Sequence, residues 1–159
     1  MPDTGAASAE ATGASSTASW NLPSRGIHHL ALTTEDMQVT TDFIVNVVGM
    51  PLVHAMKVPP GVGTGPGNRG NPPYEEIRHY FFDMGNDSLL AYFEIPKGVK
   101  KQTDRDDIGG MQHCAFAVTP DQMEAMRKRF DAAGVEYDGP VDILPGLVSM
   151  YFKDHCMES

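Results

Sequence analysis

A short pattern, His-x-Ala-apolar, occurs twice: in Ile27-His28-His29-Leu30-Ala31-Leu32 and in Met111-Gln112-His113-Cys114-Ala115-Phe116. The two histidines stand 113 − 29 = 84 residues apart, and each opens the same series of a strand-like run, a helical stretch, a glycine and more strand. A repeat of this length in 159 residues constrains the chain to two similar halves that share one core, since neither half is large enough to bury a sizeable core alone.

In the first half, Ile27 to Thr34 alternates as a strand, with Ile27, His29, Ala31 and Thr33 on one face and His28, Leu30 and Leu32 on the other. On that reading one of the adjacent histidines faces away from the other. Glu35 to Val48 carries apolar pairs at i,i+4 (Phe43/Val47, Ile44/Val48), acidic residues in its first turn and Gly49 at its stop. This predicts an amphipathic helix with a glycine cap, and Pro51 keeps it from resuming. Leu52 to Val58 reads as a second strand. Pro59 to Pro73, with five glycines and five prolines in fifteen residues, reads as a loop, either a plain insertion or a flap over a pocket. It lacks the Lys-Ser/Thr ending of a phosphate loop. Glu76 to Met84 and Ser88 to Ile95 are strands joined by Gly85-Asn86-Asp87, a hairpin signal. Within the later strand, Leu90, Tyr92 and Glu94 share one face and Leu89, Ala91 and Phe93 the other.

Lys97 to Gly109 reads as the connection between halves. Met111 to Val118 is then a strand, and Thr119-Pro120-Asp121-Gln122 combines a capping box with proline at the first helical position. Met123, Met126, Phe130 and Ala133 form the apolar face of the helix that follows, and Gly134 ends it. Val135 to Tyr137, Val141 to Leu144 and Leu147 to Phe152 are three further short strands. Each half therefore reads β-α-β-β-β. A small sheet with one helix leaves its other face bare, so two such halves pair and curl around a shared cavity lined by their first strands.

Composition narrows the functional classes. A net charge of −9 removes nucleic acid and anionic membrane surfaces as partners. The one basic cluster, Arg127-Lys128-Arg129, reads as a solvated helix face. No apolar run is long enough for a membrane span and no signal peptide is visible, so a cytoplasmic protein is expected. Cys114 and Cys156 form no metal or redox motif, and Cys114 reads as a small buried apolar residue. Residues 1–24, rich in Ala, Ser, Thr and Gly, read as a disordered leader, with 25–159 as a single domain made of module one (about 25–97) and module two (about 110–159).

Equivalent in the repeat, His29 and His113 would face each other across the cavity floor. Imidazoles from two strands suit a divalent transition metal, and an anionic third ligand completes such a site, for which Glu94 is one candidate. His54, His79 and His155 read as structural or surface residues.

These pieces, together with Phe43 through Gly49-Met50-Pro51-Leu52 and Ser149-Met150-Tyr151-Phe152-Lys153-Asp154, resemble the vicinal oxygen chelate superfamily. That family includes glyoxalase I, methylmalonyl-CoA epimerase, extradiol dioxygenases, and the fosfomycin and bleomycin resistance proteins. The resemblance spans residues 27 to 154 and implies an α+β fold, two βαβββ modules in an open, curled mixed β-barrel around a metal or ligand cavity. Carried over by position, it makes His29 and His113 metal ligands, Glu94 the module-one carboxylate of glyoxalase-like members, and Tyr151 the tyrosine that extradiol dioxygenases place near the metal. The dioxygenase signature also has a histidine several residues earlier, where this chain has Asp142-Ile143-Leu144-Pro145. The family's last-strand ligand glutamate falls just beyond Ser159, so the expectation is either a truncated chain or Glu158 in its place. The resemblance implies a mononuclear-metal enzyme for a small oxygen-chelating substrate. Fe2+ and extradiol-type chemistry are preferred because of Tyr151, with Zn2+, Ni2+, Co2+ or Mn2+ and glyoxalase or epimerase chemistry as the alternative. A metal-free, drug-sequestering binding protein is the third reading. A homodimer is compatible with all three.

Overall fold

A computed structural model describes Ser24, residues 26–57, 77–95, Asp106, Ile108 and 110–154. The leader up to Pro23, the Gly/Pro loop, His155, Cys156 and Glu158 lie outside the described residues. Among the described residues, six strands and two α-helices are arranged as β1 (His29–Thr34), α1 (Met37–Asp42), a π-helical segment (Phe43–Val48), β2 (Leu52–Lys57), β3 (Arg78–Gly85), β4 (Ser88–Glu94), α2 (Pro120–Ala133), β5 (Tyr137–Leu144) and β6 (Leu147–Phe152).

Module one is a four-stranded sheet of order β1-β4-β3-β2, in which β1 runs parallel to β4 and the other neighbours are antiparallel. The β3–β4 hairpin turns on Asn86 and Asp87, both at positive φ (51° and 58°), the backbone a two-residue turn of this hand requires. Helix α1 starts two residues later than the sequence suggests, because Asp36 is its N-cap rather than part of its first turn and accepts the N–H groups of Gln38 and Val39 at 3.0 and 3.1 Å. It does not continue as one α-helix to Val48. From Phe43 the turn widens, and the Gly49 N–H bonds the carbonyl of Ile44, five residues back, at 2.9 Å.

One face of the sheet packs on these helices. Leu90 and Tyr92 of β4 and Phe82 of β3 are buried there against Met37, Ile44 and Val48. Helix α2 adds Met126 and Phe130 to the same core. Its capping box is closed in both directions, Thr119 N–H to Gln122 Oε1 at 2.8 Å and Gln122 N–H to Thr119 Oγ1 at 3.3 Å. Of the predicted apolar face, Met126 and Phe130 are buried and Met123 is half-buried, whereas Ala133 is exposed.

The basic cluster divides in a way its spacing does not reveal. Arg127 and Lys128 pair with Glu124 on the solvated side. Arg129 instead crosses to module one, where its Nε and Nη2 donate to the carbonyls of Val47 and Val48 at 2.9 and 2.8 Å. Those carbonyls belong to the last turn of the helical segment, where the ladder leaves acceptors unpaired, so the guanidinium caps one module from the other. Gly49, at φ +91°, allows this approach, since a Cβ there would stand 2.8 Å from Arg129 Nη2.

Module two departs from the expected β-α-β-β-β. Met111 to Val118 joins no described strand ladder. Module one gives the physical reason: its first strand is held by the fourth, β4, and among the described residues module two has no equivalent of β4 for Met111 to Val118 to pair with. Cys114, expected to be buried on a strand, is exposed as a result. The predicted strands Val135 to Tyr137 and Val141 to Leu144 fuse into β5, which passes through Gly139 and Pro140 with a register shift between Asp138 and Val141. Gly139 sits at φ +106°, where a Cβ would meet Ser149 O at 2.7 Å. β5 and β6 form an antiparallel hairpin. Met150 and Phe152 of β6 pack on the core, with Phe152 and Phe130 ring centroids 4.6 Å apart, so alternation turns Tyr151 to the opposite side.

Candidate functional site

The face of the module-one sheet turned away from the helices carries His29 at the head of β1. Register places His29 beside Leu89, and the same face continues through Ala91 to Phe81 and His54 on β3 and β2. His29, Ala31 and His54 are all exposed, so this side is much less covered than the helix side.

Imidazoles gather on it around Phe81. Ring centroids of His29, His54 and His79 lie 5.7, 5.8 and 4.2 Å from that of Phe81. His79 is the buried member: it stacks on Phe93 at 3.6 Å, and its Nδ1 is 3.1 Å from the Tyr92 carbonyl. A carbonyl can only accept, so Nδ1 carries the proton and Nε2 is the ring's acceptor. Burial pushes the His79 pKa below its ordinary 6.5, opposed by the bond to Tyr92 and reinforced by His29 and His54. The sequence reading assigned His54 and His79 to structure or surface. The signal for the cluster was parity: His54, His79 and Phe81 all take the same face once strand registers are known.

The two adjacent histidines do not diverge. His28 precedes β1, where strand alternation does not apply, and its Nδ1 lies 2.9 Å from Nδ1 of His29. His113 lies in the unladdered stretch after Gly110, exposed, with its Nδ1 bonded to the Gln112 side-chain oxygen.

Glu94 is not brought to His29. It pairs with Thr34, five positions along the parallel β1–β4 ladder from the His29–Leu89 pair, about 16 Å at the usual strand rise. It also lies on the other, helix-facing side. There its Oε1 accepts the N–H of Met37 at the start of α1, at 2.9 Å, and its carboxylate pairs with Arg78 at 3.4 Å. The carboxylate thus caps a helix N-terminus, where an anion is favoured, rather than facing the His29 side of the sheet. Tyr151 is 48% exposed and so no part of the core. Asp154, from the same sequence motif, ties the modules together: Tyr92 Oη donates to its Oδ2 at 3.5 Å. Among the described residues no three or more His, Cys, Asp or Glu side chains converge on one point as a metal-binding group. The same residues hold no helix long and apolar enough to cross a membrane.

A two-module α+β fold with histidines on the first segment of each module defines a class. The chain belongs to the Glyoxalase/Bleomycin resistance protein/Dioxygenase superfamily, whose family model matches residues 26–157. Solved structures carry the same fold. The glyoxalase family protein from Enterococcus faecalis has a TM-score of 0.60 at 20% identity, covering 83% of this chain and 91% of that one. The fosfomycin resistance protein FosX from Listeria monocytogenes, in a monoclinic form, has a TM-score of 0.54 at 19% identity, covering 83% and 87%. A mutant of that FosX in complex with Mn(II) and 1S,2S-dihydroxypropylphosphonic acid has a TM-score of 0.52 at 18% identity, covering 83% and 86%. No curated protein matches the chain at a significant level.

Proposed function

We propose that the chain is a small mononuclear-metal enzyme acting on vicinal oxygens of a small molecule, with His29 and His113 as its nitrogen ligands. The observation that carries this reading is that each histidine has Nδ1 in contact with the side chain of its preceding neighbour, which would leave Nε2 for an ion wherever Nδ1 is the donor. Donor chemistry of this kind fits Fe2+, Mn2+, Co2+, Ni2+ or Zn2+. Mn(II) in the similar FosX structure supports divalent metal use in general.

Glu94 narrows the chemistry. A glyoxalase- or epimerase-type site would draw its module-one carboxylate from Glu94, and that carboxylate is occupied on the other face of the sheet. A site with two histidines and one carboxylate from beyond the described residues, of the extradiol dioxygenase kind with Fe2+, needs no such residue. A bound ion would supply Lewis-acid stabilisation of the charge that develops on the substrate oxygens. His29 and His113 would fix its place, the Phe81 ring beside His29 would offer an apolar contact, and the exposed Tyr151 hydroxyl would be a proton donor or acceptor for a substrate oxygen. Anaerobic loading of the full chain with Fe(II), followed by oxygen uptake on a panel of catechols, tests this. Uptake supports extradiol chemistry; no uptake, with turnover of other substrates on Zn(II) or Ni(II), rejects it.

A second reading, a metal-free binding protein that holds a flat ligand on the same face, is supported by the bleomycin resistance proteins named in the matched family. Purified protein without stoichiometric metal, whose ligand binding survives His29→Ala, would establish it over the first.

A further inference from the structure

Both repeat histidines are gripped by the side chain immediately before them. In module two the Gln112 amide nitrogen donates to Asp106 Oδ1 at 3.1 Å, while its oxygen meets Nδ1 of His113. A carboxylate can only accept, so the amide end facing Asp106 is the NH2 and the end facing His113 is the carbonyl. His113 Nδ1 must therefore carry the proton, and the neutral ring keeps its lone pair on Nε2. In module one, two Nδ1 atoms 2.9 Å apart require one N–H and one lone pair. With His29 as the donor and His28 as the acceptor, module one would match the arrangement of module two.

Neighbouring side chains on a regular strand point to opposite faces and cannot meet in this way. The contacts form because His28 precedes β1 and because Gln112 lies in the stretch without a strand ladder. Both preceding residues are exposed, so neither contact is a by-product of core packing.

We propose that His28 and Gln112 are positioning residues that lock His29 and His113 in the Nδ1–H tautomer, so that both present an unprotonated Nε2 to a divalent transition-metal ion. The part concerning the ion rests on the metal-enzyme reading above; the part concerning the tautomers does not. Gln112 is itself oriented by Asp106, giving a chain Asp106–Gln112–His113 in which an outer carboxylate steers a ligand ring through an amide.

Side-chain nitrogen NMR on the metal-free full chain, at a pH of about 8 where imidazoles are neutral, reads the tautomers directly. The expected result is Nδ1–H for both His29 and His113. His28→Leu and Gln112→Leu should each release the following ring to mixed tautomers and weaken Co(II) binding roughly 10–100-fold, the usual cost of losing such a partner. His28→Gln gives module one the acceptor that module two already has and should keep both tautomer and affinity. Nδ1–H tautomers that persist in both leucine variants, or an Nε2–H tautomer of either His29 or His113 in the unaltered chain, would overturn the proposal. Tautomers that behave as stated in a chain that binds no Co(II) would support the positioning role and refute the metal-enzyme reading instead.

Discussion

Glu94 accepts the backbone N–H of Met37 on the face of the sheet opposite to His29, although the two residues lie on neighbouring strands. That relationship separates a structural carboxylate from a functional one. Replacing it with glutamine keeps an acceptor for the Met37 N–H but removes the charge at the helix start and the pairing with Arg78. Glu94→Gln should lower stability by about 0.5–1 kcal/mol, measured by urea denaturation, and leave metal affinity unchanged.

Arg129 should matter more than its surface-like neighbours. Its two bonds to the Val47 and Val48 carbonyls are charge-assisted and partly buried, and they join the two modules. Arg129→Ala should cost about 2–3 kcal/mol in equilibrium unfolding, whereas Lys128→Ala should cost less than about 0.5 kcal/mol.

Gly139 combines a left-handed backbone with a carbonyl where a Cβ would go, 2.7 Å from Ser149 O. Gly139→Ala should destabilise the hairpin by more than about 1 kcal/mol, seen as a lower thermal midpoint, because the clash is with backbone and cannot be relieved by a rotamer change.

His79 links stability to pH. Its folded pKa lies below the ordinary 6.5, chiefly because burial penalises the charged ring. Above 6.5 both states are neutral and the His79 contribution is fully present. As pH falls below 6.5 the unfolded chain takes the proton first, so stability declines until the folded pKa is passed and then levels off. His79→Phe should flatten that part of the acid limb in denaturation curves collected as a function of pH, while keeping the stack on Phe93.

The elements legible in the sequence are those specified by local chemistry. The Thr119–Gln122 capping box, the Asn86–Asp87 turn and the Gly49 stop each depend on residues within a few positions, and all three appear where expected. Long-range relations were less legible. Alternation along β4 correctly groups Glu94 with Leu90 and Tyr92, but only the β1–β4 register reveals that this is not the His29 face. Met111 to Val118 has the side-chain pattern of a strand, yet a strand exists only through hydrogen bonds to a neighbour. No local signal could show that Arg129, unlike Arg127, reaches 81 and 82 residues back.

The most direct test of the account is Co(II) titration of the full chain beside His29→Ala, His113→Ala and Glu94→Ala, followed by calorimetry and by X-ray absorption of the bound ion. The account predicts one ion per chain held by two imidazoles, affinity lost in both histidine variants and kept in Glu94→Ala. An ion that stays bound when His29 and His113 are removed, or that leaves when Glu94 is removed from a chain that remains folded, would contradict it.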